Sequence, residues 1–205
     1  MHLHTEPLQP AEADSCLAMA ARLFAKKSTL HRASSVREDV YRCALRSGFM
    51  HMVKQDLSVA AYQGDQIVGA VIACDLLDQG PSANAPELQA MQALMHQMED
   101  RYLALRNPTK CASVLVDMAF VTPEATGGGI YTALRYAAQE RAAKRGFQHV
   151  VGLLSSAATQ RVVVGKMGHE VLFRERFDTF MFNGTMPLAA ITDPEEILLT
   201  EGSLT

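Results

Sequence analysis

The sequence predicts a mixed α/β domain whose central sheet of about six to seven strands has a parallel centre. Residues 113–121 and 150–154 are almost wholly apolar, as strands buried on both faces are. A helical pattern follows each of these strands, beginning at Ile130 and at Ala157. This strand–helix alternation is typical of parallel strands, and antiparallel strands are expected on either side of them.

The first fifty residues predict one strand and two helices. A weak alternation over residues 3–8 indicates a strand, and Pro10 then opens a helix with regularly spaced apolar residues. Residues 26–33 are polar and predict a broken connection. A second helix is expected behind Ser35, where Glu38, three residues later, completes a capping box.

The remaining elements are predicted from the spacing of apolar residues and from the residues that favour turns. Residues 57–62 and 67–74 predict a β-hairpin, and residues 86–106 predict a long amphipathic helix between that hairpin and the central strand. Two last short strands are expected at residues 171–173 and 179–182. We therefore assign residues 1–185 to one domain and expect residues 186–205 to form a C-terminal tail, because this segment is acidic and has few aromatic residues.

Composition limits the function classes. The 205 residues carry a formal net charge of -3, so no basic field is present to hold nucleic acid. There is no signal-peptide pattern and no apolar run long enough to span a membrane. The four cysteines are widely spaced and form no zinc-ligand pattern. We expect a cytoplasmic protein with no metal, no nucleic-acid partner and no membrane partner.

A glycine triplet lies between the central strand and the next helix. The residues from 126 to 131 are Thr126, Gly127, Gly128, Gly129, Ile130 and Tyr131. Unpaired N–H groups and the positive end of the helix dipole favour an anion such as a pyrophosphate here. A lone triplet is more often a flexible linker, but the flanking strand and helix favour phosphate binding. No P-loop is present, and Thr132 stands where a dinucleotide fingerprint needs its third glycine.

This segment resembles the signature of the GNAT acyltransferase superfamily, and the resemblance extends over roughly residues 3–184. It implies the GNAT fold and acetyl-CoA as co-substrate. It also implies that the donor is bound by Ala119, Phe120, Val121, Thr126, Gly127, Gly128, Gly129, Ile130, Tyr131 and Thr132. Thr126 departs from the family's Arg or Gln, and Tyr131 departs from its Gly or Ala.

Three features resemble the arylalkylamine N-acetyltransferase branch of that superfamily. They are the long helix inserted between strands 3 and 4, the segment from Leu30 to Ala33 in place of a Pro-Leu-Asn-like turn, and the pair Ser155-Ser156 before a helix. The resemblance implies that acetyl is transferred to a small primary amine by direct attack. Whether the protein is a homodimer stays open.

Asp117 is the candidate general base. It is the only ionisable residue between Val114 and Val121, and apolar neighbours raise the pKa of a carboxyl. Strand alternation predicts that Asp117 shares a face with Ala119 and Val121. The alternative is a structural Asp that pairs with a neighbouring strand or an Arg.

The acid that protonates the leaving thiolate is harder to predict. Val164 stands where the family often has a tyrosine, so by resemblance to insect-type relatives the candidates are Thr159 and the pair Ser155 and Ser156. Both are also good helix caps. Two other functions stay open: an acyl-CoA-binding module without turnover, and an acyltransferase with a longer donor, similar to acyl-homoserine lactone or N-acyl amino acid synthases.

Overall fold

The computed structural model describes residues 3–81 and 85–204 and contains a seven-stranded sheet with the order β1-β2-β3-β4-β5-β7-β6. The strands are β1 Leu3–Pro7, β2 Val59–Gln63, β3 Gln66–Asp75, β4 Ser113–Val121, β5 His149–Leu154, β6 Glu170–Arg176 and β7 Glu196–Ser203. All neighbouring strands are antiparallel except β4 and β5, which are parallel. The predicted parallel centre is therefore confirmed.

Six α-helices surround the sheet within the described residues. They are α1 Ala13–Lys27, α2 Thr29–Ala33, α3 Glu38–Lys54, α4 Gln89–Arg106, α5 Ile130–Lys144 and α6 Ala157–Gln160. A π-helical segment, Arg161–Lys166, continues α6. The helix α4 is the predicted long insertion between β3 and β4, and a short 3-10 turn, Pro86–Leu88, precedes it.

The sheet has an apolar core on both faces. Helices α1, α3 and α4 pack on one face, where Phe49, Met98 and Ile72 are fully buried. Helix α5 packs on the other face through Leu134 and Ala142. This two-sided covering explains why the central strands are apolar almost throughout, since both faces of each strand are removed from water.

The segment before α3 differs from its prediction. Residues 29–33 form α2, with Ser28 as N-cap, where a broken connection was expected. Helix α3 begins at Glu38 with Arg37 as its N-cap, so the capping box expected from Ser35 is wrong. Ser35 instead has a φ of 52°, a left-handed conformation that ends the α2 turn.

The expectation of a loose tail after residue 186 is also wrong, because β7 lies between β5 and β6 in the sheet. Ile197, Leu198 and Leu199 are buried, as neighbours in an interior strand are. The strand expected at residues 179–182 is absent, and Phe182 forms only an isolated bridge with Thr185. No helix in the described part of the chain is long and apolar enough to cross a bilayer.

Candidate active site

The parallel strands β4 and β5 part halfway along their length. They pair from Ser113 with His149 to Val116 with Gly152, and β5 then continues beside β7 alone. Strand β4 continues to Val121 beside β3 alone. We call this divergence beyond Val116 and Gly152 the fork. In the fork, the edge of β4 that faces β5 is free to hydrogen-bond with a ligand.

A β-bulge lies at the fork and reorients Asp117. On β3, the consecutive residues Ile72 and Ala73 pair with Met118 and Val116, so Asp117 is the extra residue. The alternation of faces therefore shifts by one position. Met118 packs in the core on the α3 and α4 side, whereas Ala119 packs on the α5 side. The prediction that Asp117 shares a face with Ala119 is wrong, because alternation does not continue through a bulge.

A cavity of about 1010 Å³ opens between the two arms of the fork. It brings together several of the predicted site residues: Asp117, Ala119, Phe120, Val121, Tyr131, Ser155 and Ser156. Helices α1, α2, α3 and α4 supply much of the opposite wall. The predicted residues Thr126, Gly127, Gly128, Gly129, Ile130 and Thr132 lie outside this wall.

Of the three acidic residues that line this cavity, Asp117, Glu99 and Asp193, the first two have carboxyl groups with raised pKa values. Burial raises the pKa of Asp117 to about 7, and the negative charge of Glu99 on α4 adds to the rise. Burial also raises the pKa of Glu99, while Gln79 Nε2 donates a hydrogen bond to Glu99 Oε2 at 2.9 Å. Neither carboxyl is paired with a cationic side chain in the described residues. The part of the wall formed by Asp117 and Glu99 is therefore suited to a cationic or amine ligand, whereas Lys27, Arg135 and Arg161 line other parts of the cavity.

Aromatic rings form another part of the cavity wall. The His31 ring stacks on Phe24 with centroids 5.1 Å apart and meets Tyr41 edge-on at 4.7 Å. Phe24 also meets Phe120 of β4 edge-on at 6.5 Å. Flat apolar rings of this kind suit an aromatic or hydrocarbon ligand.

His31 is a cavity residue that the sequence prediction missed. Its Nδ1 lies 2.7 Å from Ser28 Oγ, and its Nε2 is buried without a hydrogen-bond partner in the described structure. Burial lowers the pKa of His31 to about 4, so the imidazole is neutral at physiological pH. The only signal in the sequence is the spacing of Ser28 and His31, which lets the serine cap α2 and orient the ring.

The two predicted serines have different environments. Ser156 is the N-cap of α6: its Oγ accepts the Thr159 N–H at 3.2 Å and lies 3.0 Å from Thr159 Oγ1. The Ser156 hydroxyl therefore serves to cap α6. Ser155 lines the same cavity, at the end of the β5 arm of the fork.

The glycine triplet Gly127–Gly129 forms an exposed cradle at the start of α5. Gly127 and Gly129 have φ values of 93° and 75°, and a Cβ atom at either position would meet nothing within 4 Å. The first helical hydrogen bond is donated by the Ala133 N–H to the Gly129 carbonyl. The preceding N–H groups therefore have no helical acceptor, and the open space before them fits a phosphate group.

Side chains around the cradle contribute little to it. Thr126 Oγ1 donates to the Thr122 carbonyl at 3.0 Å, so the hydroxyl is turned toward its own loop. Ile130 is buried against the sheet. Tyr131 is half-buried and packs against the buried cluster of Leu154, Val163 and Leu198. The cradle therefore offers mainly backbone donors.

No group of three or more His, Cys, Asp or Glu residues that could hold a metal ion occurs within residues 3–81 and 85–204.

Comparisons by sequence and by structure gave different outcomes. No protein-family model matches the chain, and no curated protein sequence matches it. The C-terminal condensation domain of Ebony, in complex with β-alanyl-dopamine, superposes with a TM-score of 0.91 at 14% identity, over 99% of each chain. Arylalkylamine N-acetyltransferase 2 from Aedes aegypti superposes with a TM-score of 0.80 at 15% identity, over 100% of each chain.

A more distant match is the NatC complex bound to Gag peptide and CoA, with a TM-score of 0.58 at 13% identity, over 100% of each chain. Identities this low establish the fold alone. With its forked parallel pair, its glycine cradle and the helix between β3 and β4, the chain has the GNAT fold in the form seen in arylalkylamine N-acetyltransferases.

Proposed function

We propose that the protein is an acyl-CoA-dependent N-acyltransferase that transfers an acyl group, in the simplest case acetyl, to a small primary amine. The observation that carries the proposal is the cavity between the arms of the fork, which holds an unpaired carboxyl of raised pKa close to the free edge of β4. The amine nitrogen attacks the thioester carbonyl, and the thiol leaves.

The donor site rests on the cradle and the fork. The pyrophosphate of acyl-CoA binds at the open N–H groups of Gly127–Gly129, and the pantetheine arm hydrogen-bonds along the free edge of Ala119, Phe120 and Val121. Both sites use backbone donors, so the departure at Thr126 leaves them intact. CoA is bound in the NatC structure, which has the same fold.

The acceptor site rests on the carboxyl pair and the aromatic wall. An amine enters as an ammonium ion, which the uncompensated charges of Asp117 and Glu99 attract. The rings of Phe24, Tyr41 and Phe120 favour an aromatic substituent on that amine. With its pKa near 7, Asp117 then removes a proton so that the neutral amine attacks.

A second candidate donor is a larger or aminoacyl group. The specific observation is that the Ebony condensation domain superposes with a TM-score of 0.91 and is bound to β-alanyl-dopamine, an amide of an amino acid and an arylalkylamine. A cavity of about 1010 Å³ has room for an acyl group larger than acetyl. The chemistry at the amine is the same in either case.

The experiment is a matrix of donors and amines followed by thiol release. Acetyl-CoA and β-alanyl-CoA are each tested with arylalkylamines, aliphatic diamines and amino acids, and omission of the amine is the control. Turnover with acetyl-CoA supports the first candidate, and turnover with β-alanyl-CoA alone supports the second. CoA binding by calorimetry without turnover of any pair indicates a binding module, and no CoA binding contradicts the proposal.

A further inference from the structure

Thioester aminolysis leaves a negative charge on sulfur, and the described cavity wall contains two phenols that can supply a proton. Tyr41 lies on the acceptor side, where its hydroxyl contacts Met118 Sδ at 3.8 Å. Burial and the charge of Asp117 raise the pKa of Tyr41, so its proton is held tightly. Tyr131 lies on the donor side, on the first turn of α5.

The position of Tyr131 follows from the direction of α5. This helix begins at the cradle and runs back over β4 and β3, so residues one turn further on lie closer to the fork. The Tyr131 side chain packs with Leu154 of β5 and Val163 of the π-helical segment and lines the cavity. Tyr131 therefore lies in the cavity wall on the side where α5 and the cradle begin.

Arg135 lies one turn beyond Tyr131 and is 1% exposed. Its Nη1 and Nη2 would be 3.6 and 3.8 Å from a Cβ atom on Gly152, the last residue of β5 that pairs with β4. The guanidinium therefore lies at the fork, and it is close enough to Tyr131 for its charge to oppose the rise in the pKa of that phenol.

The Arg135 charge has no anionic partner in the described structure, and its Nε and Nη2 have no hydrogen-bond partner. His169 does not compensate it: burial and then Arg135 lower the pKa of that imidazole to about 4, and His169 Nε2 lies 3.1 Å from Gln139 Nε2. An unpaired buried cation is costly. A negative charge formed beside Arg135 during turnover is therefore stabilised.

We propose that Tyr131 donates the proton to the leaving sulfur and that Arg135 stabilises the resulting phenolate. The inference rests on the proposed function. The nitrogen–carbon bond forms and the carbon–sulfur bond breaks, with its electron pair going to sulfur. The Tyr131 O–H bond breaks and its proton moves to sulfur. The phenolate then regains a proton from solvent, into which Asp117 releases the proton that it took from the amine.

Two opposed effects on the pKa of Tyr131 support this role. Burial raises the pKa of this phenol, whereas the charge of Arg135 and its hydrogen bond oppose the rise. The phenol is therefore protonated at neutral pH, as a proton donor must be, and its conjugate base has a cation beside it.

The first test compares leaving groups. Acetyl-CoA and an acetyl aryl thioester, whose thiolate leaves without a proton, are used with wild type, Tyr131→Phe and the exposed control Tyr136→Phe. We expect Tyr131→Phe to lower kcat with acetyl-CoA by about 100-fold or more and to leave the aryl-thioester rate nearly unchanged. The Tyr136→Phe variant should match wild type. Equal losses with both donors, or no loss with acetyl-CoA, would overturn the assignment.

The second test needs no turnover. The thiol of bound CoA is titrated by the ultraviolet absorbance of its thiolate. In wild type, the Tyr131 hydroxyl and Arg135 favour the thiolate, so we expect the bound thiol to ionise about one pH unit lower than in Tyr131→Phe. Identical titrations overturn the inference while leaving the proposed function intact. If wild type does not bind CoA at all, the proposed function fails and the inference fails with it.

Discussion

At the scale of single residues, the position of Asp117 shows what a sequence does and does not reveal. Its isolation in an apolar strand was enough to predict a carboxyl of raised pKa, and burial raises that pKa to about 7. Its orientation was not predictable, because the bulge depends on the register between β3 and β4. Glu99 and His31 were missed because their helices reach the cavity only in the folded chain.

Replacing Asp117 by Asn should remove the base and keep the shape of the side chain. We expect kcat to fall by about 100- to 10,000-fold, with the affinity for acetyl-CoA unchanged. In wild type, kcat should rise as the pH increases through about 7, because only the ionised carboxyl accepts a proton. The exposed residue Asp100 supplies a matched control, Asp100→Asn. Full activity of Asp117→Asn across the pH profile would show that Asp117 is structural.

The neighbouring residue Glu99 should influence the pH dependence of kcat. Its negative charge raises the pKa of Asp117, so Glu99→Gln should move the acid limb of the kcat profile to lower pH. An Asp65→Asn control, at an exposed position between β2 and β3 that acts on neither carboxyl, should leave the limb in place. A limb that stays where it is in Glu99→Gln would mean that the two carboxyls do not interact during turnover.

At the scale of elements, the core strands and α5 were predictable and the C-terminus was not. The unbroken apolar runs of β4 and β5 reflect helices on both sheet faces, and a single sequence shows this directly. β7 was missed because its apolar run is short and is bounded by acidic residues. Its place between β5 and β6 depends on long-range pairing.

Because β7 is buried, shortening one of its side chains should lower the free energy of unfolding strongly. Leu199→Ala, at a fully buried position, should lower the free energy of unfolding by about 2–5 kcal/mol in urea titrations. Leu105→Ala is the control, since Leu105 is 54% exposed and should cost less than about 0.5 kcal/mol. A Leu199→Ala variant as stable as the control would contradict the position of β7 in the core.

The cradle allows a similarly matched pair. Gly129→Glu puts a negative side chain into the open space before α5 and should abolish CoA binding in calorimetry. Gly146→Glu is the control, because Gly146 also has a positive φ, of 89°, and open space, but lies at the other end of α5. Both changes should cost roughly 1–2 kcal/mol of stability for the left-handed backbone. Equal CoA affinity in the two variants would move the phosphate site elsewhere.

At the scale of the whole molecule, the sheet separates two tasks. Helix α5 and the cradle lie on one face, and the acceptor wall of α1, α2, α3 and α4 lies on the other. The fork joins the two faces, because β4 and β5 stop pairing beyond Val116 and Gly152. This arrangement accounts for a base on one side of the fork and a proton donor with its cation on the other.

The most direct test of this account is a crystal structure of the protein with coenzyme A. We predict the pyrophosphate at the N–H groups of Gly127–Gly129, the pantetheine arm along the free edge of β4, and the sulfur in the fork between Asp117 and Tyr131. Electron density for coenzyme A at another surface, or a sulfur atom outside the cavity, would contradict the account.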